Sequence, residues 1–127
     1  MRKTVLIADP DAVFRARLAT ALLGRGVFTL EAADGRSAIA SMVVGRVDAA
    51  VVSTELSYNG SNVFDVFAAQ AEQWRVELLI LCGHDGLFAS EAVGTDRWRI
   101  VRREGAAVPD VVRAVCEMIG TSGPAVS

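Results

Sequence analysis

Histidine, cysteine and proline are scarce in this chain, with one, two and three residues respectively in 127. A single histidine, His84, makes a histidine-based metal centre a poor reading. Two cysteines cannot build a disulfide framework, and Cys82 and Cys116 lack the close spacing of metal ligands. Neither sign of charge dominates: 13 basic against 15 acidic residues leave a net charge of −2. That excludes the strongly basic balance of a general nucleic-acid binder. No apolar run approaches the roughly 18 residues of a membrane span. The start, Met1-Arg2-Lys3-Thr4, leads straight into an apolar strand-like segment with no separate signal-peptide core or cleavage site. A cytoplasmic location is therefore expected.

What the chain has in quantity is apolar residues. They make up 52% of it, against 22% charged, which is enough for a packed core with no disulfide or metal staple. The length fits one domain. Its extent is read as residues 1–120, with 121–127 (Thr-Ser-Gly-Pro-Ala-Val-Ser) as a linker or flexible tail.

Five short apolar runs recur: Val5 to Ala8, Val27 to Glu31, Asp48 to Ser53, Glu77 to Cys82, and Trp98 to Arg102. Most are nearly continuous in Val, Ile and Leu, the pattern of parallel strands buried on both faces. Helical spacing fills the intervals. Phe14, Leu18 and Leu22 step by four, with Ala21 beside them. Ile39, Met42 and Val43 are expected to share a face, as are Val63, Phe67, Ala71 and Trp74. Val108, Val111, Val112, Val115 and Ile119 form the clearest stripe. Asp34-Gly35 opens the second helix, and Asn59-Gly60 falls in the loop after the third strand. Pro109 suits a first helical turn, and Gly120 a helix stop. A fourth helix has only about residues 85–93 and carries Gly86. The expectation is a three-layer flavodoxin-like (βα)5 domain. Its open parallel sheet has strand order 2-1-3-4-5, with helices on both faces.

Open α/β sheets place their chemistry at the carboxyl ends of the strands. Those ends carry Asp9-Pro10-Asp11, Ser53-Thr54-Glu55, Cys82-Gly83-His84 and Arg102-Arg103. Four segments carry a resemblance: VLIADPDAVFRARLATALL (5–23), EAADGRSAI (31–39), VDAAVVSTELSYNGSNVFDVF (47–67) and LLILCGHDG (78–86). In this order and spacing they resemble the receiver domain of bacterial response regulators, over about residues 3–120.

The resemblance implies a phosphorylation pocket. In a working receiver two acidic residues after strand one and an aspartate after strand three hold Mg²⁺, and that aspartate accepts a phosphoryl group. A hydroxyl after strand four and a lysine after strand five contact the phosphoryl oxygens. Mg²⁺ wants oxygen ligands and neutralises charge on the transferring group. Here Asp9 fits the first acidic position and Pro10 takes the second. Ser53 stands at the acceptor position, Cys82 at the switch hydroxyl, and Arg102 or Val101 at the lysine. A serine cannot form an acyl phosphate and does not attack without a base. A one-residue slip would let Asp11 replace Pro10. The pocket of Asp9, Pro10, Ser53, Glu55, Cys82 and Arg102 therefore reads as degenerate, with no bound metal and no catalysis expected.

Each of these residues also has a plainer reading. Asp9 and Asp11 suit a turn or helix N-cap. Ser53 suits a local hydrogen bond. Glu55, two residues on along an extended chain, would face the same way as Ser53 and could reach Arg102. Cys82 and His84 could form a dyad, with Asp85 near, yet no oxyanion loop accompanies them. Gly24-Arg25-Gly26 precedes a strand, not a helix, so it is not a phosphate loop and no cofactor is expected. Arg97, Trp98 and Arg99, with Arg102 and Arg103, suit a protein interface or a charge-guarded edge strand better than nucleic acid.

The resulting expectation is a non-catalytic pseudo-receiver that regulates or localises a protein partner of unknown identity. It could pair with a second copy, and this domain would contact no nucleic acid or membrane. Association is expected on residues about 85–118. The alternatives are an atypical receiver in a phosphorelay, or a small ligand binder or enzyme at the Cys82–His84 edge.

Overall fold

A computed structural model of the chain describes residues 3–45, 47–63, 66, 67, 69, 70, 76–82, 98–102 and 108–120, with 78–82 and 98–102 by backbone. The elements are β1 (Thr4–Ala8), α1 (Ala12–Leu23), β2 (Phe28–Ala32), α2 (Gly35–Val44), β3 (Ala49–Ser53), β4 (Ser57–Tyr58), β5 (Ser61–Asn62), β6 (Glu77–Cys82), β7 (Trp98–Arg102) and α3 (Val108–Met118). Val63, Val66, Phe67, Ala69 and Gln70 are also helical.

The β1 and β3 runs are strands buried on both faces, whereas β2, at the edge, leaves Phe28 and Leu30 exposed. β1 pairs in parallel with β2 and β3. β3 pairs in parallel with β6, and β6 with β7, giving the sheet order β2-β1-β3-β6-β7. Along β1 and β3 successive residues go to opposite cores. Val5, Ile7, Ala49 and Val51 meet Leu18 and Leu22 of α1 and Val111, Val112 and Val115 of α3. Leu6, Ala8, Ala50 and Val52 meet Ala38 and Met42 of α2, together with Val63 and Phe67. Burying each Leu or Val contributes about 1.5–3 kcal/mol, so the two clusters hold helices against each face.

Local signals set the helix ends. Asp11 caps α1, its carboxylate accepting from the Val13 and Phe14 N–H groups at 2.9 and 3.2 Å. Asp34 caps α2 by accepting from the Ser37 N–H at 2.8 Å. Gly120, at φ 76°, follows α3 in the left-handed conformation that favours glycine.

Three expectations change. Val43 does not share the inward face of α2. That face is Gly35, Ala38 and Met42, and Val43 lies about 100° further round the helix, in solvent. β2 begins and ends one residue later than the apolar run, because Val27 donates to Leu22 at the end of α1. The segment around Asn59-Gly60 is not a plain loop but a hairpin pairing β4 with β5. Both of its turn residues have positive φ (52° and 81°), as a two-residue hairpin requires. The expected face of Val63, Phe67, Ala71 and Trp74 is described only for Val63 and Phe67, both buried. The expected fourth helix at 85–93 and the 121–127 tail lie outside the described residues.

Candidate functional site

The register lines up one end of the sheet. Ala8 and Val52 are partners in β1 and β3, so Asp9 and Ser53 follow on neighbouring strands. Ser53 is level with Leu81, which is level with Val101, and Cys82 is level with Arg102. Asp9, Ser53, Cys82 and Arg102 therefore lie at one carboxyl edge. Val101 stands at the height of Ser53, and Arg102 one residue beyond it.

Asp9 and Ser53 are the buried polar residues of the described core. One Asp9 carboxylate oxygen accepts the Asp11 N–H at 2.8 Å, which tightens the turn over Pro10. Pro10 is exposed and brings neither a carboxylate nor an N–H. The Ser53 hydroxyl oxygen accepts the Glu55 N–H at 3.1 Å. Leu56 N–H reaches back to the Ser53 carbonyl at 3.4 Å, so the chain turns at once. For that reason strand alternation stops at Ser53. Glu55 is exposed and does not share the buried surroundings of Ser53. The Glu55–Arg102 contact that the sequence allows lies outside the described residues, as Arg102 is described by backbone.

The loop after β3 is held at several points. The Asn62 side-chain amide donates to the Thr54 carbonyl at 2.7 Å. Val63 N–H donates to the Leu56 carbonyl at 3.0 Å. The β4–β5 hairpin lies against the start of α2. A Cβ on Gly35 would come within 2.0 Å of the Ser57 carbonyl oxygen and 2.9 Å of Val63. Only glycine permits this approach. A shallow cleft of about 370 Å³ opens beside it, lined by Asp34, Gly35, Arg36, Ser57, Tyr58 and Asn59. The Asp34 carboxyl there is held below its ordinary pKa, chiefly by the Ser37 N–H and then by the Ser37 side chain.

Arg15 was missed by the sequence reading. From the second turn of α1 its Nη1 donates to the Asp9 carbonyl at 2.6 Å, and its Nε pairs with Glu31 on β2 at 3.3 Å. The only signal in sequence was an arginine six residues after the candidate acid.

Among the described residues, the donors around Asp9 do not fit a Mg²⁺ site. Asp9 offers a carboxylate, but Pro10 offers no side-chain ligand, the Ser53 hydroxyl is bound into its own turn, and the Asp11 carboxylate caps α1. Among the described residues no group of three or more His, Cys, Asp or Glu gathers to hold a metal. Of the other residues singled out, Trp98 and Arg99 are level with Leu78 and Leu79, at the opposite end of β7 from Arg102. Arg97, His84 and Asp85 lie outside the described residues. Cys116 is a buried free thiol, with Arg25 Nη1 at 3.9 Å from its sulfur. No described helix is long and apolar enough to cross a membrane.

No protein-family model and no curated relative matches the sequence. Solved structures do match the fold. A response regulator receiver protein from Sinorhizobium medicae aligns with TM-score 0.76 at 18% identity, over 95% of this chain and 97% of its own. A Francisella response regulator receiver domain aligns with TM-score 0.74 at 18% identity, over 94% of this chain and 98% of its own. A chemotaxis response regulator of Vibrio cholerae aligns with TM-score 0.72 at 19% identity, over 93% and 99%. The chain therefore has the response-regulator receiver fold, an α/β fold in which β2, β1 and β3 run parallel.

Proposed function

We propose that this chain is a degenerate receiver, a signalling module that acts through protein–protein contact without aspartyl phosphorylation and without catalysis of its own. The observation that carries the reading is Ser53. It ends the central strand β3 where a receiver fold presents its acceptor carboxylate, it is buried, and its hydroxyl is engaged by Glu55 N–H. Pro10 beside Asp9 removes a second acidic ligand. With the donor set reduced to Asp9, the charge developing on a transferring phosphoryl group has no metal to neutralise it.

A phosphorelay reading would have to route through Asp11, whose carboxylate already caps α1. The side chains that a ligand-binding or enzymatic reading at the Cys82–His84 edge would use lie outside the described residues. The test is incubation with acetyl phosphate and Mg²⁺, followed by intact-mass measurement and a Mg²⁺ titration of Trp74 and Trp98 fluorescence. No phosphoryl adduct and no saturable response are expected. A saturable Mg²⁺ response abolished by Asp9→Ala would overturn the reading.

The partner we propose is a cytoplasmic protein with an acidic surface. It would meet the arginine-rich end of the domain around Arg97, Trp98 and Arg99, within residues about 85–118. Four arginines and a tryptophan between positions 97 and 103 supply residue types that carry interface energy. Trp98→Ala or Arg99→Ala should weaken such a complex by about 1–3 kcal/mol in a calorimetric titration. Unchanged affinity in both variants would move the interface elsewhere.

A further inference from the structure

The two outer strands of the sheet differ in how they are guarded. β7 carries Arg99 and Arg102, with Arg97 and Arg103 beside it in sequence. Charges of this kind discourage a sheet edge from pairing with another strand. β2, Phe-Thr-Leu-Glu-Ala, has no Lys, Arg or Pro. Its single charge, Glu31, is already paired with Arg15 of the same chain.

Two hydrogen bonds fix which way the β2 backbone faces. Phe28 N–H donates to Lys3, and the Ala32 carbonyl accepts from Asp9 N–H. In a parallel ladder alternate residues bond the same neighbour. Phe28, Leu30 and Ala32 therefore bond toward β1, and the N–H and C=O groups of Thr29 and Glu31 face the open edge. Apolar side chains border that edge on the α2 side. Phe28 is 52% exposed and Leu30 37%. Leu30 packs beside the end of α2, its Cδ1 within 3.2 Å of where a Cβ on Gly45 would stand.

We infer that β2 is a self-association edge, where a second copy of this chain adds its own β2 antiparallel across a two-fold axis midway between the two copies of Leu30. This goes beyond the partner-binding reading above and uses the opposite edge of the sheet. The register is selected by the strand itself. A two-fold axis normal to the sheet must lie midway between the two copies of one residue, because opposed side chains share a face. Centred on Glu31, it would set two carboxylates against each other. Centred on Thr29, it would need the Val27 N–H, which is bound to Leu22. Centred on Leu30, it opposes Thr29 with Glu31 of the second copy, twice, so all four outward N–H groups meet outward carbonyls. Leu30 then faces Leu30 in a non-hydrogen-bonded pair, where side chains approach most closely. Phe28 faces Ala32, and no like charges oppose. Such an isologous pairing closes on itself and removes the edge, and so forms a dimer and not a fibre.

The experiment uses the full chain. Sedimentation velocity over a dilution series should show a monomer–dimer equilibrium. Thr29→Pro removes one outward N–H and leaves the β1 ladder intact, so a monomer with unchanged circular dichroism is expected. Leu30→Cys places two thiols either side of the axis, at the separation a disulfide spans. Under mild oxidation it should cross-link at least about tenfold faster than Phe28→Cys, whose opposed residue is Ala32. The wild type, which keeps Cys82 and Cys116, sets the baseline. A monomer at every concentration, a dimer surviving Thr29→Pro, or equal cross-linking of the two cysteine variants would each overturn the assignment. The cysteine comparison decides the matter should Thr29→Pro fail to fold.

Discussion

Arg15 Nη1 donates to the main-chain carbonyl of Asp9 at 2.6 Å, tying α1 to the end of β1. A bond from a charged donor to the carbonyl of a buried residue is stronger than a neutral one, and contributes about 1.5–3 kcal/mol. The same guanidinium reaches Glu31, but that carboxylate side chain is 42% exposed, and such pairs contribute about 0–1 kcal/mol. Arg15→Met should therefore lower stability by about 2 kcal/mol in urea unfolding, and Glu31→Gln by well under 1. Equal losses would mean that the salt bridge, not the carbonyl bond, holds the turn.

Gly35 and Gly24 make a matched pair for testing close approach. Gly24 ends α1 in a right-handed conformation, and a Cβ there would stand 3.4 Å from its nearest neighbour. Gly24→Ala should be neutral or stabilising by about 0.4–1 kcal/mol, because it restricts the unfolded chain. At Gly35 the same atom would lie 2.0 Å from the Ser57 carbonyl oxygen. Gly35→Ala should cost about 3 kcal/mol, since either the β4–β5 hairpin or α2 must move. Thermal melts of the two variants should shift in opposite directions, and a stable Gly35→Ala protein would show that the hairpin yields easily.

Asp34 gives a pH signature. Its pKa is lowered first by the Ser37 N–H it accepts, so folding favours the ionised carboxylate. The contribution is fully present above the unfolded-state pKa and is lost as pH falls through the lower folded value. Asp34→Ala should be less stable than wild type at neutral pH, with the gap closing as the solution is acidified below the ordinary aspartate range. A gap that widened on acidification would contradict the cap.

Restoring an acid at the end of β3 tests the proposed loss of phosphorylation. Ser53→Asp places a carboxylate at a buried position and removes the hydroxyl that accepts Glu55 N–H. We expect a loss of about 1–3 kcal/mol and no acyl phosphate while Pro10 remains. An acid-stable, base-labile phosphoryl adduct in this single variant would show that one further carboxylate is sufficient.

Much of the architecture was legible in order. Nearly continuous apolar runs marked β1 and β3, buried on both faces, but not the exposed edge strand β2, and β6 and β7 begin and end where their runs do. The stripe of Val108, Val111, Val112, Val115 and Ile119 marked a buried helix face; the last four are buried and Val108 is partly buried. The two aspartate caps followed from their places just before helical periodicity. The carboxyl-edge set Asp9, Ser53, Cys82 and Arg102 could be named because strand ends follow from strand positions. These are short-range properties, fixed by side-chain type and spacing.

Tertiary structure decided the rest, because distances between elements are not encoded in spacing. Val43 looked inward by its spacing from Ile39, yet Gly35, Ala38 and Met42 took the inner face, where Gly35 lets α2 approach the hairpin closely. The expectation that Glu55 shares a face with Ser53 assumed an extended chain, and the turn closed by Leu56 removed it. Arg15 reached Asp9 only once α1 had packed across the end of β1. The unguarded edge of β2 likewise emerged only when the sheet order set it outermost and left the Thr29 and Glu31 backbone groups facing outward. Side-chain periodicity tells which residues want to be buried; which backbone and polar groups meet depends on how whole elements pack.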